Sequence, residues 1–164
     1  MIMQICIFII FIGDNIIKVI TRTSTVANAE TNSQIYFEAC ATSYDTSNCC
    51  KQLLDHSGNE FQKGAVDAFE ITDNFRKCWK GITSPFYFMS IGGNDGWLSK
   101  EITIQFQSSK KVCTLDGWLD GNDDNPEGKI ILRRRLNCEF GKLSVQLYKQ
   151  FFHENFCRNL PYDE

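Results

Sequence analysis

The chain has 164 residues, 43% of them hydrophobic and 13% aromatic, which suits one globular domain with a sizeable core. A formal net charge of -3 leaves no concentrated basic surface, so nucleic acid is excluded as the expected partner. Eight cysteines exceed what a reduced cytosolic domain of this size carries, and no Cys-x-x-Cys pair offers a zinc spacing, so disulfides are expected in place of a metal centre.

The opening "MIMQICIFIIFIGDNIIKVITRTSTVANAE" carries an apolar run from Ile5 to Ile12 and reaches a small-x-small site at Ala27-Asn28-Ala29. This pattern predicts a secretory signal peptide over 1–29, an extracellular product and a mature domain over 30–164. The apolar run is far shorter than the roughly 20 residues a membrane-spanning helix needs, so no transmembrane anchor is expected. Cleavage would remove Cys6 and leave Cys40, Cys49, Cys50, Cys78, Cys113, Cys138 and Cys157, an odd set in which three bridges leave one thiol over, either buried and inert or linking two chains. Proximity in sequence pairs Cys138 with Cys157. Without an Asn-x-Ser/Thr sequon, N-glycosylation is not expected.

Period-two alternation dominates the remainder of the chain. In "SQIYFEACATS" Ile35, Phe37 and Ala39 share a face; "TSNCCKQLLDHS" reads as a short helical turn capped by Ser47 or Asn48. "VDAFEIT" and "SPFYFMSI" alternate more weakly. In "KEITIQFQSS" Ile102, Ile104 and Phe106 oppose Glu101, Thr103, Gln105 and Gln107, the mark of a half-buried strand. The polar "QSSKK" then predicts a hairpin of Leu98 to Phe106 with Lys111 to Leu115. "KLSVQLYKQFF" repeats the alternation at Leu143, Val145, Leu147 and Phe151. Many short strands and few helical stripes give an all-β class, an antiparallel sandwich or barrel. The tetrapeptide Asp-Gly-Trp-Leu occurs at 95–98 and again at 116–119, and the hairpin brings both copies to one edge.

Three segments in order carry a family resemblance. "LDHSGNEFQKGAVDAFEI" places Leu54, Asp55, Phe61, Lys63, Gly64, Asp67, Phe69 and Ile71; "MSIGGNDGWLSKEITIQF" gives a strand, a Gly/Asn/Asp turn and a Trp strand; "VCTLDGWLDGNDDNPEGKIILRRRL" gives Cys-x-x-x-x-Trp-Leu, an acidic turn and a strand with Arg-x-Leu. Together they resemble the PLAT domain of polycystins, lipoxygenases and bacterial alpha-toxins. The resemblance implies an antiparallel β-sandwich over 30–164; this chain departs from the family in its many cysteines, which are expected to staple it with disulfides, and in a C-terminal extension from about 137. Ahead of Leu54 the chain is shorter than the family's, which implies a missing or shortened strand. The resemblance also implies calcium as the one candidate cofactor, held by Asn94 and Asp95 with Asp45 and Asn48. A membrane lipid or another protein is the implied partner.

The acidic run Asp116, Asp120, Asp123, Asp124 and Glu127 starts like an EF-hand loop, but Asn125 stands where Gly is required and Ile131 where Glu is. Trp97 and Trp118 are expected in the core, with Trp118 the better candidate for exposure. The expected binding surface comprises Trp118, Asp120, Asp123 and Asp124, with Trp79 of "KCWKGI" as a further loop residue. In Arg133-Arg134-Arg135 the outer two share a face and the middle one opposes them. His56 and His153 lack a matching nucleophile motif, so no enzyme is expected. The reading that results is a secreted, non-enzymatic binding module of effector or venom type, acting through surface loops on a protein or membrane lipid. A disulfide-linked extracellular structural component and a calcium-dependent lipid-binding module are the alternatives.

Overall fold

A computed structural model of the chain describes residues 16–140, except 45, 46, 57, 108, 124 and 127. Cys6, Asp45, Asp124, Glu127, the alternating segment at 143–151, His153 and Cys157 lie outside the described residues. The strands are β1 (Ile16–Thr23), β2 (Gln34–Cys40), β3 (Cys49–Leu53), β4 (Val66–Glu70), β5 (Phe86–Gly92), β6 (Ser99–Phe106), β7 (Lys110–Leu115) and β8 (Arg133–Phe140); one helix, α1 (Asp73–Trp79), follows β4.

All strand pairs are antiparallel, in the order β3-β2-β5-β8-β7-β6-β1-β4. Strand β8 changes partner midway: Arg133, Arg134 and Arg135 pair with β5, and Leu136 to Phe140 pair with β7. That exchange turns one continuous sheet over on itself into an all-β sandwich. The alternation read from the sequence selects the inner face, since Ile35, Phe37 and Ala39 of β2 and Ile102 and Ile104 of β6 are fully buried. Phe37 stacks on Phe75 of α1 at 5.5 Å and on Tyr87 of β5 at 5.7 Å.

Side chains close the seam between the outermost strands β3 and β4. The Gln52 amide donates to the Glu70 carbonyl at 2.8 Å and accepts from the Thr72 N–H at 2.9 Å, imitating a ladder step. Thr72 then caps α1, its hydroxyl accepting from the Phe75 N–H at 3.3 Å. Cys50 of β3 bridges to Cys78 of α1 across the same seam.

Four expectations change. Cleavage after Ala29 would remove β1, which pairs with β6 on one side and β4 on the other, together with the fully buried Val19, Thr21, Thr23 and Ala29. The stretch ahead of Leu54, where the resemblance implies a missing or shortened strand, holds the five-residue β3. Residues 49–53 form β3 and not a helical turn, while the helix at 73–79 passes unread. Cys138 bridges to Cys113, its directly opposite partner in the β7–β8 register, and so is not available to Cys157. That bridge has a sequence separation of 25 and stabilises by about 3.5 kcal/mol in the chain-entropy model. Finally, Asn137 pairs with Thr114 within β8, so the sandwich continues through 137.

Candidate functional site

The two Asp-Gly-Trp-Leu copies meet. The Trp97 N–H donates to the Leu119 carbonyl at 2.7 Å and the Leu119 N–H to the Trp97 carbonyl at 2.9 Å. Behind them Gly121 packs against the other turn so closely that a Cβ there would fall 1.5 Å from the Gly93 carbonyl oxygen. The connections 24–33, 54–65, 93–98 and 116–132 converge on this loop end, whereas 41–48, 71–85 and 107–109 lie at the opposite, helix end.

Trp97 lies in the core, fully buried, its indole N–H donating to the Thr23 hydroxyl at 3.1 Å and its ring edge meeting Phe61 at 5.2 Å. Phe61 adopts a left-handed backbone with φ of 58°, costly for a bulky residue, and the buried Asp67 carboxylate holds it by accepting its N–H at 2.9 Å. His56 stacks on Phe69, with ring nitrogens 3.1 Å from Glu60 and 3.7 Å from Asp67. The segment spanning Leu54 to Ile71 thus supplies packing and turn geometry.

The expected calcium set does not assemble. Asn94 and Asp95 lie at the loop end and Asn48 at the helix end, separated by the length of β2, roughly 20 Å at strand rise. Asp95 is occupied structurally: its carboxylate accepts the Asn32 N–H at 2.8 Å and its N–H donates to the Ser33 hydroxyl at 3.1 Å. The expected binding surface also divides. Asp120 is buried and bridges to Ile131, so it is not a surface residue. Its Oδ1 accepts the Asn122 N–H at 2.9 Å, and its Oδ2 is buried with no partner. Trp118 is half-buried, its carbonyl accepting from Arg134 Nε at 2.6 Å, and Asp123 is exposed. Trp79 closes α1 at the helix end, where it packs against Phe106 and Tyr87 as a partly buried core residue, not in a loop.

What the alternation did not reveal is which apolar side chains are left outside. Val26, Val66, Ile130 and Leu132 are each more than half exposed at the loop end, and Tyr44 is exposed at the helix end. Scattered apolar exposure is ordinary, but these four residues share one end of the sandwich, which also exposes Asp55, Asp95, Asp116 and Asp123 against Lys63 and Lys129, an apolar-tipped end of net negative charge among the described residues.

A second cluster lies on the outer face of β2, β5 and β8. Glu38 is 4% exposed and is ringed by the Ser90 hydroxyl, Arg133 Nε at 2.7 Å and Lys51 Nζ at 3.6 Å. Arg133 also lies over the Phe88 ring at 3.5 Å, and Arg135 over Phe86 at 4.5 Å. Burial alone would raise the Glu38 carboxyl, but the Ser90 hydrogen bond and the Arg133 and Lys51 charges outweigh it and hold the group below its ordinary 4.5. A carboxyl held low in the folded state stabilises above its unfolded pKa and loses that contribution as pH falls through the folded value. Urea midpoints for the wild-type chain are therefore expected to drop as pH falls below about 4.5, and Glu38→Gln to lack this component. Parallel acid profiles of the two proteins would refute the assignment.

No family model matches the chain, and no curated protein matches it. Among solved structures, an alpha toxin from Clostridium absonum superposes with a TM-score of 0.51 at 16% identity, covering 76% of this chain and 31% of the toxin. A LOX structure superposes with a TM-score of 0.51 at 14% identity, covering 84% of this chain and 20% of that enzyme. The fold is PLAT-like. This chain spans about a third of the toxin and a fifth of the LOX. At such identities the likeness is one of fold alone.

Proposed function

We propose that the chain is a secreted, non-enzymatic binding module that engages an extracellular protein through the loop end. The observation that carries this reading is the concentration there of Val26, Val66, Ile130 and Leu132, exposed beside carboxylates. An acidic surface with apolar tips is repelled by an anionic bilayer and complements a partner face that is apolar and basic. Three disulfides support an oxidising compartment, and among the described residues no helix is long and apolar enough to cross a membrane. A leader for this secretion would have to end before Ile16. His56 is engaged by Glu60, Asp67 and Phe69, which leaves it a packing role and supports a non-catalytic reading.

The immobilised chain is expected to recover one stoichiometric protein from extracellular fluid, and the double variant Ile130→Ser, Leu132→Ser to lose it while keeping the wild-type circular dichroism. Equal recovery by the variant would exclude this surface. A calcium-dependent lipid module is the second reading, favoured by the orphan Oδ2 of Asp120, whose buried oxygen could take a hard cation. Against it, the one group of three or more His, Cys, Asp or Glu that converges among the described residues lies elsewhere, at Glu38, Cys40 and Cys49. Sedimentation with anionic liposomes that requires millimolar calcium and is lost in Asp120→Asn would favour this second reading over the first.

A further inference from the structure

The three bridges differ in what touches their sulfurs. Cys40 and Cys49 stand directly opposite in the β2–β3 register, at the mouth of the hairpin whose turn ends the sandwich. The Cys40 residue is fully buried and Cys49 is half-buried. Arg133 Nη2 lies 3.1 Å from Cys40 Sγ and 3.6 Å from Cys49 Sγ. Two contacts fix that guanidinium: Glu38 accepts from its Nε, and the Phe88 ring lies beneath it. Among the described residues no guanidinium or ammonium hydrogen-bonds a sulfur of Cys50–Cys78 or Cys113–Cys138.

We propose that Cys40–Cys49 is a thiol-exchange site, attacked at Cys49 by an external dithiol, with Arg133 stabilising the departing Cys40 thiolate. The attacking thiolate forms a new bond to Cys49 Sγ as the Cys40–Cys49 bond breaks, and the electron pair leaves on Cys40 Sγ, beside the guanidinium. The second thiol of the reductant, once deprotonated, then attacks its own sulfur in the mixed disulfide and releases Cys49, so two electrons pass to the bridge and the reductant ends as a disulfide. Protons from solvent complete both cysteine thiols. Exchange is faster when the leaving thiol is the more acidic and when the attacked sulfur is accessible, and a fixed cation at the buried sulfur supplies the first condition. Glu38 acts as a positioning residue through Arg133.

Reversibility is a consequence of the fold. Five register pairs join β2 and β3, from Tyr36 with Leu53 to Cys40 with Cys49, so the reduced cysteines stay opposed and can close again. The sequence separation is 9, against 28 and 25 for the other bridges, so opening this one releases the smallest loop and leaves the seam and β8 fastened.

Limiting dithiothreitol at neutral pH, followed by alkylation and peptide mass mapping of the full chain, is expected to label Cys40 and Cys49 before any other bridged cysteine. Glutathione is expected to leave its adduct on Cys49 and a free thiol on Cys40. Arg133→Gln should slow this opening about threefold to tenfold with the other two bridges unaffected, and Arg133→Lys should restore part of the rate. Earlier opening of Cys50–Cys78 or Cys113–Cys138, or a glutathione adduct on Cys40, would overturn the proposal. So would an unchanged rate in a folded Arg133→Gln protein, and the wild-type order of labelling decides the matter should that variant not fold.

Discussion

A chain beginning at Glu30 is expected not to fold, whereas one beginning at Ile16 is expected to give a cooperative thermal transition and the same three bridges. The argument rests on where β1 lies. Its backbone pairs with β6 over Thr23 to Ile16 and with β4 over Arg22 to Lys18, so its loss leaves β4 with no ladder and exposes an edge of β6. Burying Val19 contributes about 2 kcal/mol by itself, and the loss of Thr23 leaves the buried Trp97 indole N–H without its acceptor. Domains of this size are stable by only about 5–15 kcal/mol, so the loss of a strand paired on both sides is expected to unfold the sandwich. Edman sequencing of secreted material gives an independent check, with a start at or before Ile16 expected. A product starting at Glu30 that unfolds cooperatively would refute the placement of β1.

The second large effect is at Trp97. Trp97→Ala is expected to cost about 3–5 kcal/mol in urea denaturation, as for a large aromatic removed from a packed core. Trp97→Phe should cost less, about 1–2 kcal/mol, because it removes the bond to Thr23 yet leaves a ring for Phe61 to meet. The bridge from Trp97 to Leu119 is made by the backbone and survives both substitutions, so the loss in each variant reports the indole alone. A loss below about 1 kcal/mol for the alanine variant would mean that the turns are held without the indole.

Much of the architecture was legible where one face of a strand is polar. Strands β2 and β6 declare themselves because Ile35, Phe37 and Ala39, or Ile102, Ile104 and Phe106, alternate with residues that cannot share their environment. Strand β1 was obscured by context: Lys18 and Arg22 alternate with Val19, Thr21 and Thr23 as a strand requires, but the preceding apolar run and Ala27-Asn28-Ala29 imitate a leader. Helix α1 is too short for periodicity to register, and its one clear sign is the cap residue Thr72 ahead of Asp73. Cysteine pairing needs the registers, since Cys113 finds Cys138 only once β7 and β8 are aligned. For the same reason no local pattern shows that Asp120 goes inside while Ile130 and Leu132 stay out. The bridge between Asp120 and Ile131 decides both, and it joins residues from opposite ends of a long turn.

The Gln52 amide between β3 and β4 bears on how the molecule can be approached. A strand from another protein recruits the free backbone groups at the margin of a sheet. Here the carbonyl of Glu70 and the N–H of Thr72 are already engaged by a side chain, and Cys50–Cys78 draws α1 across the same margin. A visiting strand would have to displace both before it could zip onto this seam. The seam is thereby closed to β-augmentation, which accords with the proposed engagement of a partner through loop side chains.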